Sequence, residues 1–197
     1  MKLLLIRHGE SEADILRVHE GRADYELTER GHFQAEAMSR YISQNYSVDK
    51  IYYSTLKRAV QTAQHLMLAT RAPLLPEEDL MEFDNGLLAG MKFEVAAEKY
   101  PQVEIPVHTA VYEQETMLDF RCRGERMLSK LIAENEESST IAVVTHGGMI
   151  GQLYRAFFRL PLDSKYSFPT DDTGIHEWDI IGESRIVLRA NYVACDM

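Results

Sequence analysis

Lys2-Leu3-Leu4-Leu5-Ile6-Arg7-His8-Gly9 is an almost wholly apolar run that stops at two basic residues and a glycine. A short run without polar alternation suits a strand covered on both faces. Thr140-Ile141-Ala142-Val143-Val144-Thr145 has the same character and also ends in histidine and glycine, His146-Gly147-Gly148. In open α/β sheets, ligands bind beyond the carboxyl ends of the strands. Glycine at such an end lets the backbone approach a ligand. The two histidines are therefore expected in one pocket. Arg58 joins them, in the first turn of a helix that follows the strand Asp49–Tyr53. Two guanidiniums and two imidazoles facing one cavity make an anion site, because arginine's planar fork fits phosphate oxygens. Taken singly, each histidine also fits a hydrogen-bonded structural residue, and each arginine a surface charge. A two-histidine metal site competes as well, but no His-x-x-x-His or clustered carboxylate spacing accompanies it.

The rest of the pattern alternates helix and strand. Thr28 is placed to cap a helix whose inward face carries Phe33, Ala37, Tyr41 and Ile42. A second helix turns Leu56, Ala59, Val60, Ala63 and Leu66 inward. Ala72–Pro76 reads as an edge strand bounded by prolines. A third helix is expected over Glu115–Glu134, with Leu118, Met127, Leu128, Leu131 and Ile132 as its apolar side and Gly124 weakening its middle. Met149–Phe158 reads as another helix. Ile175–Ile181 and Arg185–Tyr192 flank the turn Gly182-Glu183-Ser184 as a hairpin. The expected fold is a three-layer α/β/α sandwich with a mostly parallel central sheet. It forms one domain over residues 1–197, and the irregular stretch 81–113, with a short helix over Phe93–Tyr100, is expected as a substrate-covering insertion.

Bulk composition narrows the function. The 197 residues carry a net charge of −10 with 45% apolar and 26% charged residues. So acidic a chain is a poor partner for nucleic acid or an anionic membrane, yet a local field still admits an anionic small molecule. No apolar run is long enough to cross a bilayer, and the run at Leu3–Ile6 is too short for a signal peptide. Cys122 and Cys195 form no spacing motif, so a reduced, cytoplasmic chain is expected. The sequence leaves the oligomeric state open, with a homodimer among the options.

Five segments together carry a family resemblance. They are Leu5-Ile6-Arg7-His8-Gly9-Glu10-Ser11; Gly21-Arg22-Ala23-Asp24-Tyr25-Glu26-Leu27-Thr28-Glu29-Arg30-Gly31; Tyr53-Ser54-Thr55-Leu56-Lys57-Arg58-Ala59-Val60-Gln61-Thr62-Ala63; Leu80-Met81-Glu82-Phe83-Asp84-Asn85-Gly86; and Val143-Val144-Thr145-His146-Gly147-Gly148. In this order the sequence resembles the histidine phosphatase superfamily, which includes the cofactor-dependent phosphoglycerate mutases. The resemblance implies a phosphoglycerate mutase-like fold. It implies His8 as a nucleophile that becomes phosphorylated, Arg7, Arg58 and His146 as holders of the phosphoryl oxygens, and Glu82 as proton donor. It implies no metal and no cofactor. Chemistry agrees with these roles. A neutral imidazole attacks phosphorus if its other nitrogen donates to a backbone carbonyl, and fixed cations then stabilise the spread charge of the transition state. A protonated His146 is expected among those cations.

Two departures stand out. Asp14 occupies a position where the family has asparagine, and an ionised carboxylate cannot donate to phosphate. At about 4 Å the two anions would repel by about 4 kcal/mol at an effective dielectric near 20. The expectation is that Asp14 still belongs to the substrate shell and is paired with Arg17 or Arg22. The stretch 86–113 is short and holds only Lys92 and Lys99 as cations, unlike the basic cover of the mutases. Hydrolysis of a phosphorylated small metabolite is therefore favoured. A phosphoglycerate mutase and a weakly catalytic phospho-ligand binding or regulatory protein are the alternatives. Specificity is expected in Met91–Val111 and Phe168–Ile175, with Tyr100, His108, Tyr112 and His176 as candidates for the mouth of the site.

Overall fold

The four inner residues of the first strand, Leu3 to Ile6, are all fully buried, and successive side chains enter opposite layers. Leu3 and Leu5 join one hydrophobic cluster with Phe120, Met127, Leu131 and Leu153; Leu4 and Ile6 join another with Met38, Ile42, Ala63 and Leu66. At about 2 kcal/mol for each buried side chain, this strand alone ties the two faces together. The computed structural model describes residues 1–194, and Cys195 lies outside them.

The elements run β1 (Lys2–Arg7), α1 (Glu12–Leu16), α2 (Glu29–Asn45), β2 (Lys50–Ser54), α3 (Lys57–Thr70), β3 (Leu74–Glu77), α4 (Phe93–Lys99), α5 (Met117–Ala133), β4 (Thr140–Thr145), α6 (Gly147–Phe157), β5 (Ile175–Ile181) and β6 (Ser184–Tyr192). The strands form one sheet in the order β3-β2-β4-β1-β5-β6. The β3-β2, β2-β4 and β4-β1 pairings are parallel, and β5 and β6 add antiparallel partners at one edge. The three-layer, mostly parallel sandwich is as expected. Residues of α2 and α3 cover one face of the sheet, and those of α5 and α6 the other.

This arrangement places the site. β1 and β4 are neighbours in register, Arg7 opposite Thr145. The chain leaves β1 toward the α2 face and leaves β4 toward the α6 face, which opens a crevice beyond their carboxyl ends. Among the described residues no helix is long and apolar enough to cross a membrane.

Several helix faces differ from the sequence pattern. Thr28 does cap α2, accepting from the Gly31 N–H at 2.9 Å. The buried stripe of α2, however, is Ala35, Met38 and Ile42, while Phe33 is exposed. Phe33 is nine residues, two and a half turns, from Ile42, which puts it on the opposite side of the helix from the sheet-facing row. In α5, Leu118 is likewise exposed, because the helix reaches the core only from Phe120 onward. Gly124 is a packing residue: a Cβ there would lie 2.8 Å from Gln152 Cβ of α6.

His176 is not at the mouth of the site. It is buried on β5, where Nδ1 accepts from the Asn191 N–H at 3.2 Å and lies 2.8 Å from the Tyr154 hydroxyl. Its Nε2 then donates to Thr170 Oγ1 at 3.0 Å. Burial lowers its pKa to about 4. Because the unfolded chain binds this proton near pH 6.5 and the folded one does not, stability should fall as pH drops from about 6.5 to about 4. The full loss is about 3 kcal/mol from this residue. Denaturant melts of His176→Gln over that range should show a shallower decline than the wild type.

Candidate active site

His8 follows β1 directly and is almost completely buried. Its Nδ1 lies 2.7 Å from the Gly9 carbonyl, which can only accept, so Nδ1 carries the hydrogen. Nε2 therefore presents its lone pair, and Arg58 Nε donates to it at 3.2 Å. Burial, and then the charges of Arg58 and Arg7, hold the His8 pKa well below the usual value. The ring is thus a neutral base with a fixed tautomer, as the sequence led us to expect.

Arg58, in the first turn of α3, is fully buried. Its two terminal nitrogens donate to the carbonyls of Gly21 at 2.8 Å and Ala23 at 3.1 Å, which aims Nε at the His8 ring. His146 stands at the N-terminus of α6, its ring centroid 5.0 Å from that of His8. Its Nε2 lies 2.7 Å from Ser54 Oγ, while its buried Nδ1 has no hydrogen-bond partner. Burial and the neighbouring charges of Arg58, His8 and Arg7 push its pKa well down. The expected imidazolium is therefore a neutral ring in the empty site. Two cations and a second ring within reach disfavour a charged His146.

Arg7 donates to the Thr170 carbonyl at 2.8 Å and pairs with Asp172 at 3.3 Å. The segment 168–175 thus positions Arg7, with Thr170 linking it to buried His176. Glu82 enters from the opposite side. Its Oε2 accepts from the Gly148 N–H at 2.9 Å, and its Oε1 from the Phe83 N–H at 2.8 Å. A Cβ on residue 148 would lie 2.3 Å from Glu82 Oε1, so glycine there leaves the room in which that carboxyl sits. Gly9 has a different reason: a Cβ there would lie 2.5 Å from the Gly31 carbonyl oxygen, so its absence lets two backbone segments pack together. The expectation that this glycine makes room for ligand is corrected accordingly.

Residues 3–193 match the profile of the histidine phosphatase superfamily (branch 1). The chain belongs to this superfamily. It is 28% identical over 202 residues to phosphoserine phosphatase 1 of Hydrogenobacter thermophilus, covering 100% of this chain and 94% of that protein. It is 30% identical over 164 residues to phosphoglycerate mutase-like protein 4 of Arabidopsis thaliana, covering 78% and 69% of the two chains. The alpha-ribazole phosphatase from Shigella flexneri superposes with a TM-score of 0.87 at 25% identity, covering 100% of this chain and 99% of that one.

Within this histidine phosphatase the acidic residues do not lie as expected. Asp14 pairs with neither Arg17 nor Arg22. Its Oδ2 caps α1 by accepting from the Ser11 N–H at 2.8 Å, and its Oδ1 lies 3.8 Å from Arg7. Arg17 instead reaches Glu94 at 4.0 Å, and Arg22 reaches Asp84 and Glu115, each at 3.4 Å. The short helix α1 turns Asp14 back toward its own start and away from those arginines. Tyr100 and Tyr112 do stack at 4.9 Å beside a cavity, whereas His108 is on the exposed surface.

Sequence reasoning missed Glu20. Its Oε2 lies 3.1 Å from Arg58 Nε and 3.6 Å from His8 Nε2. It sits in a polar turn, one residue before the Gly21 segment, with no strand end to mark it. Asp172 was missed for the same reason. Both cations of the cradle are thus already opposed by carboxylates of the chain.

Proposed function

We propose that this phosphatase hydrolyses a phosphomonoester of a small cytoplasmic metabolite through a phosphohistidine on His8 Nε2. The observation that carries the reading is the fixed Nε2 lone pair of a neutral, buried His8, aimed where Arg58 Nε, Arg7 and the unpartnered His146 Nδ1 converge. A phosphoryl group entering there meets two guanidiniums and a ring nitrogen free to bond it. Nε2 attacks phosphorus in line and the bond to the leaving oxygen breaks. Glu82 gives that oxygen its proton. Glu82 then takes a proton from the water that attacks the phosphohistidine, and inorganic phosphate leaves. Each step needs only groups of the chain.

The stretch 81–113 covers the site in this reading. Beneath it lies a cavity of about 540 Å³, walled by Phe83, next in the chain to Glu82, and by His19, next to Glu20. Tyr100, Val107 and Tyr112 extend the wall, and none of the residues lining it is lysine or arginine. Such a wall suits an uncharged or apolar leaving group and offers nothing to hold a phosphorylated acid for transfer. Hydrolysis, not mutase chemistry, follows. In single turnovers with phosphorylated metabolites, inorganic phosphate should appear in step with loss of substrate, chelator present or absent. Transfer to an acceptor would instead identify a mutase.

Gly148→Ala tests the place of Glu82. The clash falls on the end of a flexible side chain, so unfolding should change by less than about 1 kcal/mol. Misplacing the proton donor should lower kcat about 100-fold for substrates with poor leaving groups. An activated aryl phosphate, whose leaving group needs no proton, should be affected far less.

A further inference from the structure

Ser11 Oγ touches two carboxylates at once. It lies 2.5 Å from Glu20 Oε1 and 3.1 Å from Asp14 Oδ2. A hydroxyl has one hydrogen, so it can donate to only one of them. Ser11 Oγ thus anchors Glu20 Oε1, the closer of the two, and Asp14 Oδ2 has the Ser11 N–H as its own donor. Ser11 is fully buried, so this anchor is shielded from solvent. The other oxygen of Glu20 lies 3.6 Å from the nitrogen that attacks phosphorus. Reacting atoms in a productive complex stand about 3–3.5 Å apart. A bound phosphoryl group therefore brings its oxygens against Glu20 Oε2. With Oε1 held by Ser11, that carboxyl either repels the anion or donates to it.

We propose that Glu20 is a catalytic residue that receives the phosphoryl group as a neutral carboxylic acid, donating from Oε2 to a phosphoryl oxygen, so that oxyanion binding is coupled to one proton. This rests on the phosphatase reading above and adds a group to it. The charges around Glu20 are Arg58 from α3, Arg7 and His8 from the end of β1, and Asp14 from α1, with His146 and Glu82 beyond them. In the empty site Arg58 stabilises the carboxylate. An arriving dianion takes over Arg58 and Arg7, and the balance at Glu20 tips toward the proton. Burial, the largest influence, and the nearby Asp14 already raise its pKa against the opposing pull of Arg58 and Ser11. Ser11 then donates to Glu20 Oε1, while Asp14 keeps its bond from the Ser11 N–H.

The test uses sulfate, a dianion whose own charge is constant over the range studied. Calorimetry in buffers of different ionisation enthalpy gives both affinity and proton uptake. For the wild type, affinity should be flat at acid pH and fall about tenfold per pH unit once the empty enzyme's Glu20 is ionised, with uptake rising to one proton. Glu20→Gln keeps the shape and a donor, and should bind sulfate with little pH dependence in that range and no uptake. Asp14→Asn and Glu82→Gln should retain the uptake. Uptake that survives Glu20→Gln, or vanishes with Asp14→Asn or Glu82→Gln instead, overturns the role of Glu20 alone. Failure of the folded wild type to bind sulfate even at acid pH removes the anion site itself and both readings with it. Thermal melts confirm that each variant is folded.

Discussion

Replacing His8 by asparagine should lower kcat by about 10⁴-fold or more while leaving oxyanion affinity within a few-fold. In the proposed mechanism the nucleophile is a single atom, Nε2 of His8, and asparagine has no ring nitrogen to replace it. The amide of asparagine cannot form the covalent intermediate. The cations proposed to bind the phosphoryl oxygens, Arg7 and Arg58, are held by other partners: the Thr170 carbonyl, and the Gly21 and Ala23 carbonyls. They should remain in place. Rapid quenching of the wild type with labelled substrate should trap acid-labile, base-stable phosphate on the protein, and the variant should trap none. Residual turnover within tenfold of the wild type would show that His8 is not the nucleophile. The neutral ring also sets the pH range. With the His8 pKa held well below its usual value, the attacking form persists into moderately acid solution, so histidine protonation should not limit the rate near pH 6.

Arg58→Ala should damage both function and fold. Arg58 is fully buried and makes contacts to His8, Gly21, Ala23 and Glu20 at once. Its removal takes a donor from the Gly21 and Ala23 carbonyls, of which Ala23 keeps the Tyr25 N–H, and leaves Glu20 without its ion-pair partner. Losing one member of a buried pair costs about 3–5 kcal/mol. Catalysis should fall by about 100- to 1000-fold through lost stabilisation of the transferring phosphoryl group. Lysine should not rescue it, since a single ammonium cannot reach two carbonyls and the site with a planar fork. Glu20 separates the two effects. Adding Glu20→Gln to Arg58→Ala should recover part of the stability, because the stranded carboxylate is gone, without recovering kcat. If the double variant were no more stable than Arg58→Ala, charge pairing with Glu20 would not be what holds this part of the fold. Urea unfolding and steady-state kinetics on the same preparations decide it.

The sequence by itself determined the frame. Apolar runs without alternation placed β1 and β4 as buried strands of a mostly parallel sheet, and a histidine at the end of each led us to expect the two rings in one crevice. Arg58 was legible because a helix start after β2 must lie at the same end of the sheet. These inferences need only strand direction and the one-dimensional pattern. The choice of Glu82 among nearby acids came from the family resemblance. The tertiary structure supplied its physical reason in the Gly148 N–H, a contact across 66 residues. Which helix residues face inward, Ala35 and Met38 and not Phe33, depended on how α2 rolls against the sheet, a freedom that periodicity leaves open.

Only the tertiary structure decided the charge state of the site. The sequence led us to expect an imidazolium at His146, arginines waiting for phosphate, and Asp14 paired with a neighbouring arginine. Folding buried His146 beside two cations and left it neutral. It paired Arg7 with Asp172 and Arg58 with Glu20, across 165 and 38 residues of chain. Electrostatic energy depends on distance and on exclusion of water, and neither is written in the order of residues. His8 could be named from its place at the end of a strand. That it is neutral, with Nε2 facing Arg58 and an acid 3.6 Å away, is a property of the packed molecule.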